Sequence, residues 1–354
     1  MTDAAALKQT MLALAYTADA ADVVIGDDIA ANRQAGQIAD CVLKNATPLN
    51  GQWQTVWGPR VYDFPYISHG HSNNTMLVVQ SVSDPNTYVV AIAGTDPKSW
   101  SDWLFEDFFV WSTLPWLYGD VPGELKPKIS QATAIGLFTL QQIAPVKGTP
   151  QAGVGLRDYL HSVVADTSDE ITIYVTGHSL GGALAPTVAC WLNDTKAQWD
   201  EKDQTTISAY AFAGATPGNQ DFATWMNSRF QGDRLVRVSN TLDVVPHGWR
   251  YDTMMAIRDL YPAPYTFPKI LDKLLEHIAS KLESIDYQFV GEGDQVQPIE
   301  GSLYDISPLP KMQVERFGAQ ALKQHVDAYP EKLGLPELNA EIQECIGKVL
   351  GESG

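Results

Sequence analysis

The chain has 354 residues, of which 45% are hydrophobic and 19% are charged. This composition is typical of a folded globular protein and excludes a disordered one, and the length suits one large α/β domain, residues 1–354, with insertions. Acidic residues outnumber basic ones 42 to 24, and the net charge of -18 would repel phosphate groups, which excludes nucleic acid as a partner.

The N-terminal region predicts a helix over residues 5–19. It lacks the basic start, apolar run and cleavage site of a signal peptide. No stretch approaches the roughly 18 to 20 uninterrupted apolar residues that a transmembrane segment needs. We therefore expect a soluble chain that is either cytoplasmic or secreted without a recognisable leader.

Short apolar runs alternate with helical patterns along the chain, and this alternation predicts a mainly parallel central sheet with helices on both faces. The predicted strands are residues 75–82, 87–93, 171–176, 207–213 and 235–239. The predicted helices are residues 151–165, 180–193, 220–230, 267–285, 320–329 and 336–350. Residues 249–303 fit this scheme poorly and are interpreted as an insertion.

The stretch 100–123 is unusually aromatic and ends in a Gly- and Pro-containing segment, 119–123, where a hinge could lie. We predict a movable lid here, over a site that binds acyl chains. The alternative is a core helix followed by a loop, because aromatic stripes usually indicate packing. The side chains assigned to the lid and acyl-binding site are Trp100, Trp103, Phe105, Phe108, Trp111 and Trp116.

The three cysteines, Cys41, Cys190 and Cys345, are an odd number, lie far apart and show no CxxC spacing. We expect neither a disulfide framework nor a zinc site, and interpret all three as buried thiols. His69 and His71 stand in a polar loop without a nearby Cys or a spaced Glu. No metal and no cofactor are predicted.

The strongest motif is the GHSLGG segment of residues 177–182, which stands directly between a predicted strand and a predicted helix. A sharp turn at that point would expose the hydroxyl of Ser179 as a nucleophile, with Gly177 and Gly181 giving the backbone room. The N–H of Leu180 would then face a developing oxyanion. The alternative is a glycine-rich loop that only joins the strand to the helix.

A serine nucleophile needs a base and an orienting carboxylate, which in such folds follow the serine in the order acid, then histidine. Asp243, just past a predicted strand, is the candidate acid, with an Asx turn or a helix cap as the alternative. Of the three histidines that follow the serine, His325 is the candidate base because it comes late in the chain. His277 lies on the flank of an apolar helical stripe, and His247 is too close to Asp243 in sequence.

Four segments together resemble the class 3 lipases, the fungal-lipase-like branch of the α/β hydrolases. They are the nucleophile segment 177–185, the strand and turn 210–222, the acid segment 243–246 and the base segment 325–329. The resemblance implies an α/β-hydrolase fold and hydrolysis of acylglycerols and related lipid esters. It also points to Thr95, after a strand that ends at Gly94, as the second oxyanion donor, although Ala93 stands where the family usually has a basic residue. A tight turn at Gly94 is the alternative.

The sequence therefore predicts a lipase or carboxylesterase with a Ser179–His325–Asp243 triad. Three alternatives stay open: an esterase for short or aromatic esters, an acyltransferase on the same fold, and a non-catalytic interaction protein that keeps a hydrolase fold. The partner expected is a lipid ester, at a lipid–water interface if the lid prediction holds. Acyl length, positional preference and oligomeric state are not encoded in any motif.

Overall fold

The computed structural model describes residues 4–63, 74–94 and 110–351. Within these ranges the strands are β1 (Trp53–Tyr62), β2 (Asn74–Ser81), β3 (Thr87–Ile92), β4 (Thr113–Pro115), β5 (Lys128–Ser130), β6 (Ile171–His178), β7 (Thr205–Phe212), β8 (Gly218–Asn219), β9 (Leu235–Asn240), β10 (Tyr287–Gln288) and β11 (Val296–Ile299).

The α-helices are α1 (Ala4–Ala21), α2 (Ile29–Asn45), α3 (Gln131–Gln142), α4 (Leu156–Ala165), α5 (Leu180–Asp194), α6 (Gln220–Arg229), α7 (Tyr251–Ala256), α8 (Asp272–Leu282), α9 (Gln313–Val326), α10 (Ala328–Lys332) and α11 (Leu338–Leu350). Short 3-10 helices occur at Lys196–Gln198, Gly232–Arg234, Val245–His247, Ile257–Asp259, Lys269–Leu271 and Gly293–Gln295.

The main sheet has seven strands among the described residues, in the order β1-β2-β3-β6-β7-β9-β11. The first two pairs are antiparallel, and every pair from β3 to β11 is parallel. Side chains alternate between the two faces of a strand, so Val90 and Ile92 of β3 enter one apolar layer while Val89 and Ala91 enter the other. Helices α3 to α6 cover the first face, and α1, α2 and α11 cover the second. The predicted architecture is confirmed.

All five predicted strands are present within two residues of their predicted bounds, but several elements were missed. Strand β1 contains Gly58 and Pro59, which are unfavourable inside a strand. These two residues are tolerated because β1 lies at the edge of the sheet. Strand β11 lies inside the predicted insertion 249–303 yet pairs with β9 as the opposite edge. That part of the segment therefore belongs to the main sheet.

A second, four-stranded sheet of described residues has the order β10-β8-β5-β4. Strand β4 belongs to the C-terminal part of the predicted lid, β8 to the stretch after β7, and β10 to the segment before β11. The sheet therefore joins these three segments. Its short strands lie beside α3, whose first turn is capped by the Ser130 hydroxyl accepting from the Thr133 N–H at 2.9 Å.

The prediction of three unpaired thiols is wrong. Cys41 of α2 and Cys345 of α11 form a disulfide with a Cα–Cα distance of 5.6 Å, whereas Cys190 is a free, buried thiol. The two bonded residues are separated by 304 positions, and only the packing of both helices on the same apolar layer brings them together. No spacing rule could reveal this pair.

We expect the double substitution Cys41→Ala/Cys345→Ala to lower the free energy of unfolding by about 2–5 kcal/mol, because it releases a very long loop in the unfolded chain. Thermal melts of the wild type with and without reductant, beside the double variant, measure this. Reductant should bring the wild-type melting temperature down to that of the variant and leave the variant unchanged. A wild-type melting temperature that is unchanged after full reduction of the disulfide would contradict the prediction.

Candidate active site

Ser179 lies at the turn between β6 and α5 with φ 60° and ψ -122°, a conformation that non-glycine residues rarely adopt. Two flanking glycines make this turn sterically allowed. A Cβ on Gly177 would meet the Gly181 carbonyl oxygen at 2.3 Å, and one on Gly181 would meet the Ile92 carbonyl oxygen at 2.2 Å. The elbow therefore packs backbone against backbone, and a side chain at either glycine would prevent this turn.

The structure brings Ser179, His325 and Asp243 together in one line of hydrogen bonds. His325 Nε2 lies 2.8 Å from Ser179 Oγ, and His325 Nδ1 lies 2.8 Å from Asp243 Oδ2. Since a carboxylate only accepts, Nδ1 carries the hydrogen and Nε2 is free to accept the hydroxyl proton. All three residues are at most 4% exposed.

A scan against family models matches residues 89–250 to the class 3 lipases. The solved structure of M37 lipase is similar over 97% of this chain and 98% of its own, with 30% identity and a TM-score of 0.81. The chain belongs to the class 3 lipase family. It therefore has the α/β-hydrolase fold and is a serine ester hydrolase. Ser179 and Asp243 lie inside the range that matches the family model, and His325 lies beyond it.

Two fungal enzymes are more distant. The triacylglycerol lipase of Penicillium expansum shares 16% identity over 82% of this chain and 79% of its own, with a TM-score of 0.42. Lipase II of Rhizopus niveus shares 16% identity over 70% of this chain and 76% of its own, with a TM-score of 0.44. At these values we draw nothing further from either enzyme.

Asp243 of the enzyme is fully buried and its carboxylate is held by three donors. Besides His325, the Val245 N–H donates to Oδ1 at 3.0 Å and the Tyr329 hydroxyl donates to Oδ2 at 2.8 Å. The Asx turn considered from the sequence is thus present, and it orients the same carboxylate that faces the histidine. Tyr329 stands in the motif that suggested His325, but sequence reasoning gave it no role.

Burial is the largest effect on the pKa of His325 and lowers it below the ordinary value. Asp243 opposes this shift through its charge and its hydrogen bond, and the neighbouring His178 adds to it. The direction keeps the imidazole neutral at neutral pH, which is the form that can accept a proton from Ser179.

Three side chains from different elements hold the end of α9, which carries His325. The last carbonyl groups of a helix have no partner inside it. Here the Gln324 carbonyl accepts from Asn240 Nδ2 at 2.9 Å. The His325 carbonyl accepts from His178 Nε2 at 2.9 Å. The Val326 carbonyl accepts from the Tyr16 hydroxyl at 2.7 Å. The backbone that positions His325, the candidate base, is therefore held by side chains of β9, the elbow and α1.

One of the two predicted oxyanion donors lies within the described residues. Leu180 is the first residue of α5, so its N–H has no partner inside the helix and lies next to Ser179. Thr95 lies outside the described ranges. Its predecessor Gly94 is buried against the elbow, where an added Cβ would meet the His178 carbonyl oxygen and Ser179 Cβ at 2.8 Å.

Of the predicted lid residues, Trp100, Trp103, Phe105 and Phe108 lie outside the described residues. Trp111 is 40% exposed, with Lys281 Nζ 5.1 Å from its ring centroid. Trp116 is only 6% exposed, and its Nε1–H donates to the buried Asp194 carboxylate at 2.9 Å. The Trp116 ring packs in the main core against Phe222, and its assignment to a movable lid stays a prediction.

The other histidines considered as bases do not reach the nucleophile. His277 is an exposed residue of α8. His247 follows Asp243 closely, and its Nδ1 lies 2.7 Å from the Asp243 backbone carbonyl, where burial lowers its pKa. His178, the residue before Ser179, is buried and uses both ring nitrogens in hydrogen bonds.

A small cavity of about 20 Å³ opens beside Ser179 and Leu180. The rest of its lining comes from β5, α3, α5 and the segments after β7 and β9: Ser130, Ala132, Thr133, Ala183, Ala215, Thr216, Val245 and Trp249. Among the residues placed by the structure, no group of three His, Cys, Asp or Glu could hold a metal ion. No described helix is long and apolar enough to cross a membrane.

We expect Tyr329→Phe to lower kcat roughly tenfold or more, because a hydrogen bond to a charged group contributes about 1.5–3 kcal/mol. Burial raises the pKa of Tyr329 well above its ordinary value, so the hydroxyl stays a donor to Asp243. Tyr261→Phe is the matched control, since Tyr261 donates to the adjacent Leu242 carbonyl at 2.7 Å and not to the carboxylate. Equal kcat values for the two variants would show that the Tyr329 hydroxyl does not orient the acid.

Proposed function

We propose that this enzyme hydrolyses carboxylic esters of lipids, acylglycerols among them, through an acyl-enzyme intermediate on Ser179. The observation that carries the proposal is the unbroken hydrogen-bond line from Asp243 through His325 to the strained Ser179. A serine, a neutral imidazole and a buried carboxylate in this arrangement are what nucleophilic ester cleavage requires.

The reaction begins when Ser179 Oγ attacks the ester carbonyl carbon and its proton passes to His325 Nε2. Asp243 keeps the imidazole in the required tautomer and stabilises the imidazolium that forms. The tetrahedral intermediate collapses, the alkoxide leaves, and His325 protonates it to the free alcohol. Water then attacks the acyl-enzyme with His325 as base, which releases the fatty acid and restores Ser179.

The negative oxygen of the tetrahedral intermediate needs donors that are already in place. We assign this role to the backbone N–H groups of Leu180 and Thr95. The start of α5 supports the first assignment, because a helix N-terminus adds a partial positive charge where the oxyanion develops. The tight packing of Gly94 on the elbow supports the second, since it brings the end of β3 beside Ser179.

A lipid substrate is favoured by the apolar surface near the described part of the predicted lid. Leu114, Leu117 and Trp111 are 46%, 81% and 40% exposed within a short stretch. The strong negative charge disfavours anionic headgroups, so a neutral lipid surface suits this stretch better. We therefore keep interfacial action as part of the proposal.

The Cys41–Cys345 disulfide bears on where this reaction takes place. Structural disulfides form and persist mainly in oxidising compartments. Of the two locations left open by the sequence, we favour the one outside a reducing cytoplasm.

The substitutions Ser179→Ala and His325→Ala should each lower kcat by roughly 10⁴- to 10⁶-fold, because members of a triad act as a unit. Hydrolysis of chromogenic esters by folded variants, checked by circular dichroism, measures this. His277→Ala is the control histidine and should retain full activity. Substantial activity in Ser179→Ala would overturn the proposed nucleophile.

The same assay decides the substrate class when the acyl chain of the ester is varied. A lipase should prefer long-chain esters and turn over faster once the substrate forms an emulsion. Preference for short chains, with no change at the solubility limit, would favour the esterase alternative. Ester products formed with added alcohols would favour the acyltransferase, and no turnover of any ester would favour the interaction protein.

A further inference from the structure

The carboxylate of Asp19, near the C-terminal end of α1, contacts two parts of the hydrolytic site. Its Oδ1 accepts from the Gly94 N–H at 2.7 Å, and its Oδ2 lies 3.2 Å from His178 Nδ1. Asp19 is distant in sequence from both residues, and the catalytic mechanism above does not use it. Most of α1 around it is buried against the sheet.

His178 faces hydrogen-bond acceptors with both of its ring nitrogens. Nε2 lies 2.9 Å from the His325 carbonyl oxygen, which can only accept, so this nitrogen carries a hydrogen. On the other side, Nδ1 faces the Asp19 carboxylate. If neither Nδ1 nor the carboxylate oxygen carried a hydrogen, their lone pairs would repel each other. A hydrogen between the two atoms makes this contact a hydrogen bond. Asp19 thus holds the His178 ring in the orientation in which Nε2 donates to the His325 carbonyl.

The bond that His178 makes to the His325 carbonyl is a cap on the last turn of α9. The His178 ring also packs against the His325 ring in a tilted arrangement, with ring centroids 4.6 Å apart and planes inclined by 37°. Tyr16, one turn before Asp19 on α1, caps the following carbonyl of Val326. Helix α1 therefore holds the backbone of the base directly through Tyr16 and indirectly through Asp19 and His178.

We propose that Asp19 is a positioning residue of the hydrolytic site. It fixes the orientation of the His178 ring, and His178 in turn holds the His325 backbone so that His325 Nε2 meets Ser179 Oγ. This inference rests on the proposed function, since it concerns the geometry of the same base. Asp19 does not touch the reacting atoms, and its effect passes through His178. The bond to Gly94 keeps the carboxylate in place for this purpose.

Three variants at the end of α1 test the proposal. Asp19→Ala removes both contacts, whereas Asp19→Asn can still accept from Gly94 and can donate an amide N–H to His178 Nδ1, which leaves the hydrogen on Nε2. Asp22→Asn is the matched control, because Asp22 is a buried acid just after the same helix, and its carboxylate accepts from the Thr75 hydroxyl.

We expect Asp19→Ala to lower kcat by about tenfold or more with KM changed by less than about threefold, and Asp19→Asn to recover most of that loss. Asp22→Asn should keep kcat near the wild-type value whatever its effect on melting temperature. Unchanged kcat in Asp19→Ala, or equal losses in all three variants, would overturn the positioning role.

A double-substitution cycle separates action through His178 from a general effect on folding. In a His178→Gln background, adding Asp19→Ala should change kcat by less than about threefold, because the residue through which Asp19 acts is already gone. A full additional tenfold loss would show that Asp19 acts by another route. The Ser179→Ala variant distinguishes a failure of this inference from a failure of the proposed function. If Ser179→Ala retains activity, the proposed function is wrong. If Ser179→Ala is inactive and Asp19→Ala is fully active, only this inference is wrong.

Discussion

The backbone conformation of Ser179 is the constraint on which the rest of the site depends. At φ 60° the serine turns its side chain out of the strand direction, and the chain can adopt this turn only where neighbouring backbone segments approach without side chains. Gly177, Gly181 and Gly94 provide that approach, and a Cβ on any of them would lie within 2.8 Å of another group. The same turn starts α5, so one local geometry supplies both the proposed nucleophile and the first N–H of a helix.

Residues from opposite ends of the chain hold the base against this turn. His325 comes from a late helix, yet its backbone is capped by side chains of α1, of the elbow and of β9. The disulfide between α2 and α11 ties the early and late helices on the same face of the sheet. The alignment of Nε2 with Ser179 therefore depends on long-range packing as much as on the motif around the serine.

Those parts of the site that are encoded locally could be predicted from the sequence. The glycine spacing around Ser179, the strand before it and the helix after it are contiguous, and they identified the elbow. Asp243 and His325 followed from chain order and from the resemblance of their short segments to a known family. The strands of the parallel core were also predictable, because buried strands read as continuous apolar runs.

Features that depend on tertiary contacts were missed. Tyr329 orients Asp243 and Asp19 contacts His178 only after elements far apart in sequence have packed. The pairing of Cys41 with Cys345 has the same origin. The surroundings of Trp116 could not be predicted, because an aromatic cluster indicates burial but not the residues that bury it, and its partner Asp194 lies 78 residues away. Strand β11 was hidden because it is short, polar in part and contains Pro298.

The central claim is that Ser179 is the nucleophile of an ester hydrolase, and covalent labelling with an alkyl phosphonate tests it most directly. The folded protein is incubated with the reagent, digested, and every serine-containing peptide is examined by mass spectrometry, with denatured protein as the control. The account predicts one phosphonylated serine, Ser179, labelled in the folded protein and not in the denatured one. Labelling of a different serine, or no labelling of the folded protein at all, would contradict it.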